Sequence, residues 1–227
     1  THNYTGYPLI RQARQMIADG ELGQIRVVQV EYAQDWLAEE VHNKQADWRT
    51  DPARSGAGGC VGDIGTHAFN LASYVTGLRT AAVSADLDSF VAGRKVDDNV
   101  HVMLRFEGGA KGMLWASQVA VGNENALRLR VHGTKGGLEW AQENPNQMSF
   151  TRFGEPRQIL TRAGAGANDA GLRHIRVPAG HPEGYLEGFA TIYAEAADIV
   201  RHTRLGTTPP PEVHVPGIDA GLDGMRF

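Results

Sequence analysis

The strongest constraint on the fold of this chain is a stretch of two-residue periodicity. Val100, Val102, Leu104 and Phe106 alternate with His101, Met103 and Arg105, and further on Leu127, Leu129 and Val131 alternate with Arg128 and Arg130. Successive side chains on a strand point to opposite faces, so such runs build a sheet with one face packed and the other open or paired. Gly108-Gly109 supplies a hairpin turn between the first run and a returning strand over Lys111 to Ala120. Ile25 to Tyr32 and Ala82 to Leu87 read as further strands, with shorter ones near Leu138–Trp140, Met148–Phe153 and Gln158–Thr161.

Helical periodicity interrupts this pattern in three places. Leu9, Ala13, Met16 and Ile17 form a stripe that starts at Pro8 and stops at Gly20. Phe69, Leu71, Ala72 and Val75 define a helix from about Ile64 to Thr76, closed by Gly77. The longest spacing match runs from Tyr185 to His202. Residues 36–62 and 162–183 lack periodicity and read as loops, and an apolar pattern begins again at Ile218, Leu222 and Met225. The predicted class is α+β: a mostly antiparallel sheet of six or more strands, covered by helices on one face. If the other face is apolar, dimerisation is the natural way to cover it.

Composition narrows the function classes. Twenty-two basic against 26 acidic residues leave a net charge of −4, which is no nucleic-acid footprint. No apolar run approaches the roughly 18 residues of a membrane span, so neither a membrane nor a nucleic acid is an expected partner. The opening Thr1-His2-Asn3-Tyr4 has neither a basic nor an apolar leader segment. The single cysteine, Cys60, cannot form an intrachain disulfide and suits a reducing, cytoplasmic setting. Both ends are abrupt, and the chain reads as part of a longer protein.

Despite 28 glycines, the G-x-G-x-x-G fingerprint fails: Val61 stands in its third place after Gly56-Ala57-Gly58, and Asp169 after Gly164-Ala165-Gly166. The chain is therefore not expected to hold a dinucleotide unaided. The most chemical segment is Gly58-Gly59-Cys60-Val61-Gly62-Asp63-Ile64-Gly65-Thr66-His67. It sets a carboxylate and an imidazole four residues apart on one helix face, a pairing suited to proton transfer. Asp63 as a simple helix cap explains the same spacing. Trp48-Arg49 joins an aromatic plane to a guanidinium, suited either to ligand stacking and anion pairing or to anchoring a loop. In Gly180-His181-Pro182-Glu183, the last two residues mark a helix start and leave His181 unexplained. No H-E-x-x-H or paired-cysteine pattern exists, and scattered His67, Asp63, His174 and His181 make no metal motif. Cys60 reads either as a reactive thiol near a helix start or as a small buried residue.

Four ordered segments resemble the C-terminal half of the glucose–fructose oxidoreductase, inositol dehydrogenase and rhizopine catabolism (Gfo/Idh/MocA) family. They are Gly20-Glu21-Leu22-Gly23-Gln24-Ile25, Trp48-Arg49 with Gly56-Ala57-Gly58-Gly59, Gly62 to His67, and Val131-His132-Gly133-Thr134-Lys135-Gly136, within residues 1–140. The resemblance implies an NAD(P)-dependent oxidoreductase acting on sugars, polyols or their derivatives. Residues 1–6 would end a missing Rossmann domain, and 7–227 would form the substrate-binding and oligomerisation domain, in a homodimer or homotetramer. It implies Asp63 and His67 as catalytic residues, Arg49 and His181 as substrate contacts, and Asn3 and Trp48 near the nicotinamide. The family's lysine in an E-K-P segment has no counterpart here, so the chain alone is expected to be inactive and to hold no cofactor. A non-catalytic ligand-sensing or oligomerisation domain on the same scaffold is the rival reading.

Overall fold

The computed structural model describes all 227 residues. Eight strands form one sheet: β1 (Ile25–Ala33), β2 (Thr80–Asp88), β3 (Asn99–Phe106), β4 (Lys111–Ser117), β5 (Ala126–Gly133), β6 (Gly136–Ala141), β7 (Gln147–Arg152) and β8 (Gln158–Thr161). Their order is β2-β3-β4-β1-β5-β6-β7-β8. β1 enters between β4 and β5, parallel to β4 and antiparallel to β5, and every other pair is antiparallel. This is the α+β class expected from the alternating pattern.

The alternation sorts the two faces as predicted. Val28, Val30, Val102, Leu104, Leu114, Leu129 and Val131 are buried, while Val27, Gln29, Met103, Met113 and Arg128 stand on the other side. Each fully buried branched side chain contributes about 1.5–3 kcal/mol. The cover is made by α1 (Pro8–Ala18) and α4 (Thr66–Thr76), whose apolar stripes join one core with the strands. Gly77 ends α4 in the left-handed conformation, at φ +67°.

Three segments are more ordered than their composition predicts. The 36–62 stretch contains α2 (Lys44–Arg49) and α3 (Pro52–Ser55), capped by the side chains of Asn43 and Asp51. The 162–183 stretch contains α5 (Asp169–Leu172), capped by Asn168. The closing apolar pattern is α7 (Ile218–Arg226). α4 is itself preceded by a π-helical turn over Val61–Gly65.

The long helix α6 (Tyr185–Leu205) crosses a short 3-10 turn, Asn3–Gly6. A methyl group on Gly6 would lie 2.3 Å from the Gly188 carbonyl, so this crossing requires glycine. Buried Arg11 on α1 and Glu195 on α6 close the same junction. No helix is long and apolar enough to cross a membrane.

Candidate active site

The π turn carries Asp63 and α4 carries His67, and both line one cavity of about 560 Å³. Its floor is β2 and β3, through Val83, Ala85, Leu87, Val100 and Val102. Its rim is His2, Trp48, Arg49 and the Gly56–Gly59 segment, and Phe227 closes it by stacking on Phe69 at 4.3 Å. The long stretch before the π turn therefore bends over the motif that follows it, bringing Trp48 and Arg49 to Asp63.

Asp63 is not a helix cap. Its Oδ2 accepts from Arg49 Nε at 2.7 Å and from Gln118 Nε2 at 2.8 Å. Two donors on one oxygen leave Oδ1 without a protein hydrogen bond. Arg49 in turn lies near the rings of Trp36 and Trp48, and its terminal nitrogens make no protein hydrogen bond. Gln118 is buried just past β4, and nothing in its local sequence marks it as a site residue.

His67 makes no hydrogen bond, and its Nδ1 is buried without a partner. Asp63 does not bond to it. The imidazole is held instead between the edges of three rings: His2 at 5.2 Å, Tyr4 at 5.4 Å and Tyr32 at 6.4 Å. Behind them the Tyr4 and Tyr32 hydroxyls meet at 2.5 Å, and Tyr32 donates to Asn125 at 2.8 Å. Burial lowers the His67 pKa, and Asp63 opposes this. A neutral imidazole beside a held carboxylate can accept a proton from a hydroxyl near neutral pH.

Two predicted positions lie elsewhere. Asn3 is buried inside the 3-10 turn with its Nδ2 unpartnered, and the cavity is reached by the neighbouring His2 instead. His181 is exposed and does not line the cavity, because its loop is tied down through its carbonyl to buried Arg162. Cys60 is buried, and burial with nearby Asp97 raises its pKa, so it stays a thiol rather than a nucleophile. No cluster of three metal-ligating side chains exists. A larger concavity of about 850 Å³ between α1, α5 and the Pro211–His214 segment contains none of the predicted site residues.

The fold recurs in solved oxidoreductases. The uncharacterized oxidoreductase YfiI of Bacillus subtilis is 32% identical over the whole chain. An oxidoreductase from Sinorhizobium meliloti is 55% identical, with a TM-score of 0.90 over the whole chain. The inositol dehydrogenase homolog of Azotobacter vinelandii, solved with NADH and myo-inositol, is 35% identical, with a TM-score of 0.89 over the whole chain. The chain spans 59% of the length of each of these relatives. Residues 10–139 match the GFO/IDH/MocA C-terminal domain, and the chain belongs to that family.

Proposed function

We propose that this chain is the substrate-binding domain of a nicotinamide-dependent dehydrogenase acting on a sugar, a polyol or a derivative. The observation that carries the reading is the pairing of an unbonded, half-buried imidazole with a carboxylate that keeps one oxygen free, both on one cavity wall. The myo-inositol and NADH held by the Azotobacter vinelandii homolog support the same substrate class and cofactor.

Oxidising a carbinol removes a proton from oxygen and a hydride from carbon. His67 takes the proton, since burial keeps it neutral and no protein group claims its nitrogens. Asp63 Oδ1 accepts from a neighbouring hydroxyl, while Arg49 and Gln118 hold Oδ2 in place. The terminal nitrogens of Arg49 are free to donate to a further hydroxyl. A ligand with adjacent hydroxyls satisfies all three residues at once, and a simple alcohol does not.

The residues present fit the nicotinamide end of a cofactor. Trp48 exposes its ring at the rim, Gly56–Gly59 leaves room there, and His2 brings a buried Nδ1 without a partner. When bound, the cofactor supplies the hydride acceptor. Without a glycine fingerprint these 227 residues do not hold the rest of it, so a separate Rossmann domain preceding Thr1 belongs to the proposal, and the domain alone is inactive. The open sheet face, with Val27, Met103 and Met113 exposed, supports association of copies into a homodimer or homotetramer.

The test is to express the whole protein that contains this chain and follow nicotinamide reduction with a panel of sugars and polyols. The expected result is oxidation of at least one polyol, cut about 10²- to 10⁴-fold in kcat by His67→Asn. Tight polyol binding without any nicotinamide reduction would establish the ligand-sensing alternative instead.

A further inference from the structure

The Asp63–His67 pair rests on one residue that neither touches. Asp97, just before β3, is buried. Its Oδ1 accepts the Gly59 amide at 2.6 Å, and its Oδ2 accepts the Val61 amide at 2.7 Å and the Cys60 thiol at 3.1 Å. Its main-chain carbonyl accepts the Cys60 amide at 2.9 Å. Three consecutive residues thus direct four donors at Asp97. No arginine or lysine pairs with it, so its charge is met by the turn alone. Hydrogen bonds to a carboxylate are about twice as strong as neutral ones, and a negative charge here favours the start of the helix that follows. The approach is close: a methyl group on Gly59 would lie 2.0 Å from the Asp97 carbonyl.

The next residue works from the other side. Asp98 accepts the Phe90 and Val91 amides and pairs with Arg94. Its carbonyl accepts the Gln118 amide at 2.9 Å, and the Gln118 side chain donates to Asp63. Asp63 is therefore located from two directions by adjacent residues at the entry of one strand.

We propose that Asp97 is a positioning residue for the Asp63–His67 pair, acting through the Gly59–Val61 turn to set where both side chains stand in the cavity. The inference rests on the dehydrogenase reading given above. It also explains why a carboxylate occupies this place: an asparagine keeps the volume but turns an NH₂ group toward one of the donors that the carboxylate accepts. The turn then shifts, and a displacement of about 1 Å between reacting groups costs about 100-fold in rate.

The whole protein is assayed with the polyol it oxidises best. Asp97→Asn is expected to lower kcat about 100-fold, with little change in KM. Cys60→Ala, which removes one donor, lowers kcat about fivefold, and Cys60→Ser, which keeps a donor, recovers part of that loss. Hydrogen exchange should quicken at Gly59–Val61 in Asp97→Asn, and the His67 imidazole resonances should shift. A residue that only stabilises the fold would leave kcat and the His67 resonances unchanged, and that result overturns the proposal. If Asp97→Asn does not fold, the cysteine pair decides, and equal kcat for Cys60→Ala and wild type overturns it. If the wild type oxidises no polyol, the dehydrogenase reading has failed. The His67 resonances then still report on Asp97, shifting if it positions the pair and staying fixed if it does not.

Discussion

Removing the Glu195 carboxylate tests how α1 is held to the long helix α6. Arg11 and Glu195 lie 184 residues apart, with side chains only 2% and 3% exposed. They pair as a fork, Nη1 to Oε1 at 3.1 Å and Nη2 to Oε2 at 2.6 Å. The remaining guanidinium bonds go to the carbonyls of Thr5 at 2.6 Å and His214 at 2.9 Å. In Glu195→Ala the guanidinium stays charged, since arginine does not deprotonate in a protein. A buried charge stripped of its partner costs about 3–5 kcal/mol, and the two surviving carbonyls place this case near the lower end, at about 3 kcal/mol. The double variant Arg11→Met, Glu195→Leu leaves no charge behind and only two carbonyls short of a donor. It should recover about half of the loss. The assay is urea unfolding of the whole protein, followed by both fluorescence and circular dichroism so that non-coincident transitions are seen. A Glu195→Ala cost below about 1 kcal/mol, or a double variant no more stable than the single one, would refute the claim that the pair is held dry.

Three further outcomes follow from the geometry. Gln118→Ala removes one of two donors on Asp63 Oδ2 and should lower polyol kcat/KM about tenfold in the whole protein, measured by steady-state kinetics. On the proposed association of copies through the open sheet face, Met113→Lys places a charge on that face and should give a smaller species than wild type in size-exclusion chromatography. His174 is held at about 4, first by burial and then by the charges of Arg11, Arg173 and Arg176. The unfolded chain, with a histidine near 6.5, binds more protons in this window, so unfolding free energy falls as pH drops from 6.5 toward 4. For this 10%-exposed side chain the change is about 3 kcal/mol, and His174→Gln should flatten the profile measured by denaturant titration.

Much of the fold is legible in the sequence because its signals are local. Alternation at Val100–Phe106 and Leu127–Val131 sorts two faces of a sheet whatever the strand order, and Gly108 and Gly109, at φ +81° and +95°, turn the chain between β3 and β4. Pro8 and the Leu9–Met16 stripe mark α1 for the same reason. Strand order is not local. β1 pairs Val30 with Leu114 on one side and Leu129 on the other, a choice made by packing and not by any turn. The short helices α2, α3 and α5 escape notice because their caps, Asn43, Asp51 and Asn168, are not followed by an apolar stripe.

The candidate site divides along the same line, and the division says how it is built. Asp63 and His67 share one turn, so their common direction is legible from spacing alone. What makes them usable is not in that segment. Gln118 and Asp97 are reached 55 and 38 residues from their partners Asp63 and Gly59, and His67 is held by rings from the chain's opening turn and from β1. His2 reaches the cavity while the adjacent Asn3 is buried in the 3-10 turn that packs under α6 at Gly6 and Gly188. The D-x-x-x-H segment therefore specifies which groups share the cavity. The entry of β3 and the end of β4 specify where the turn and Asp63 stand.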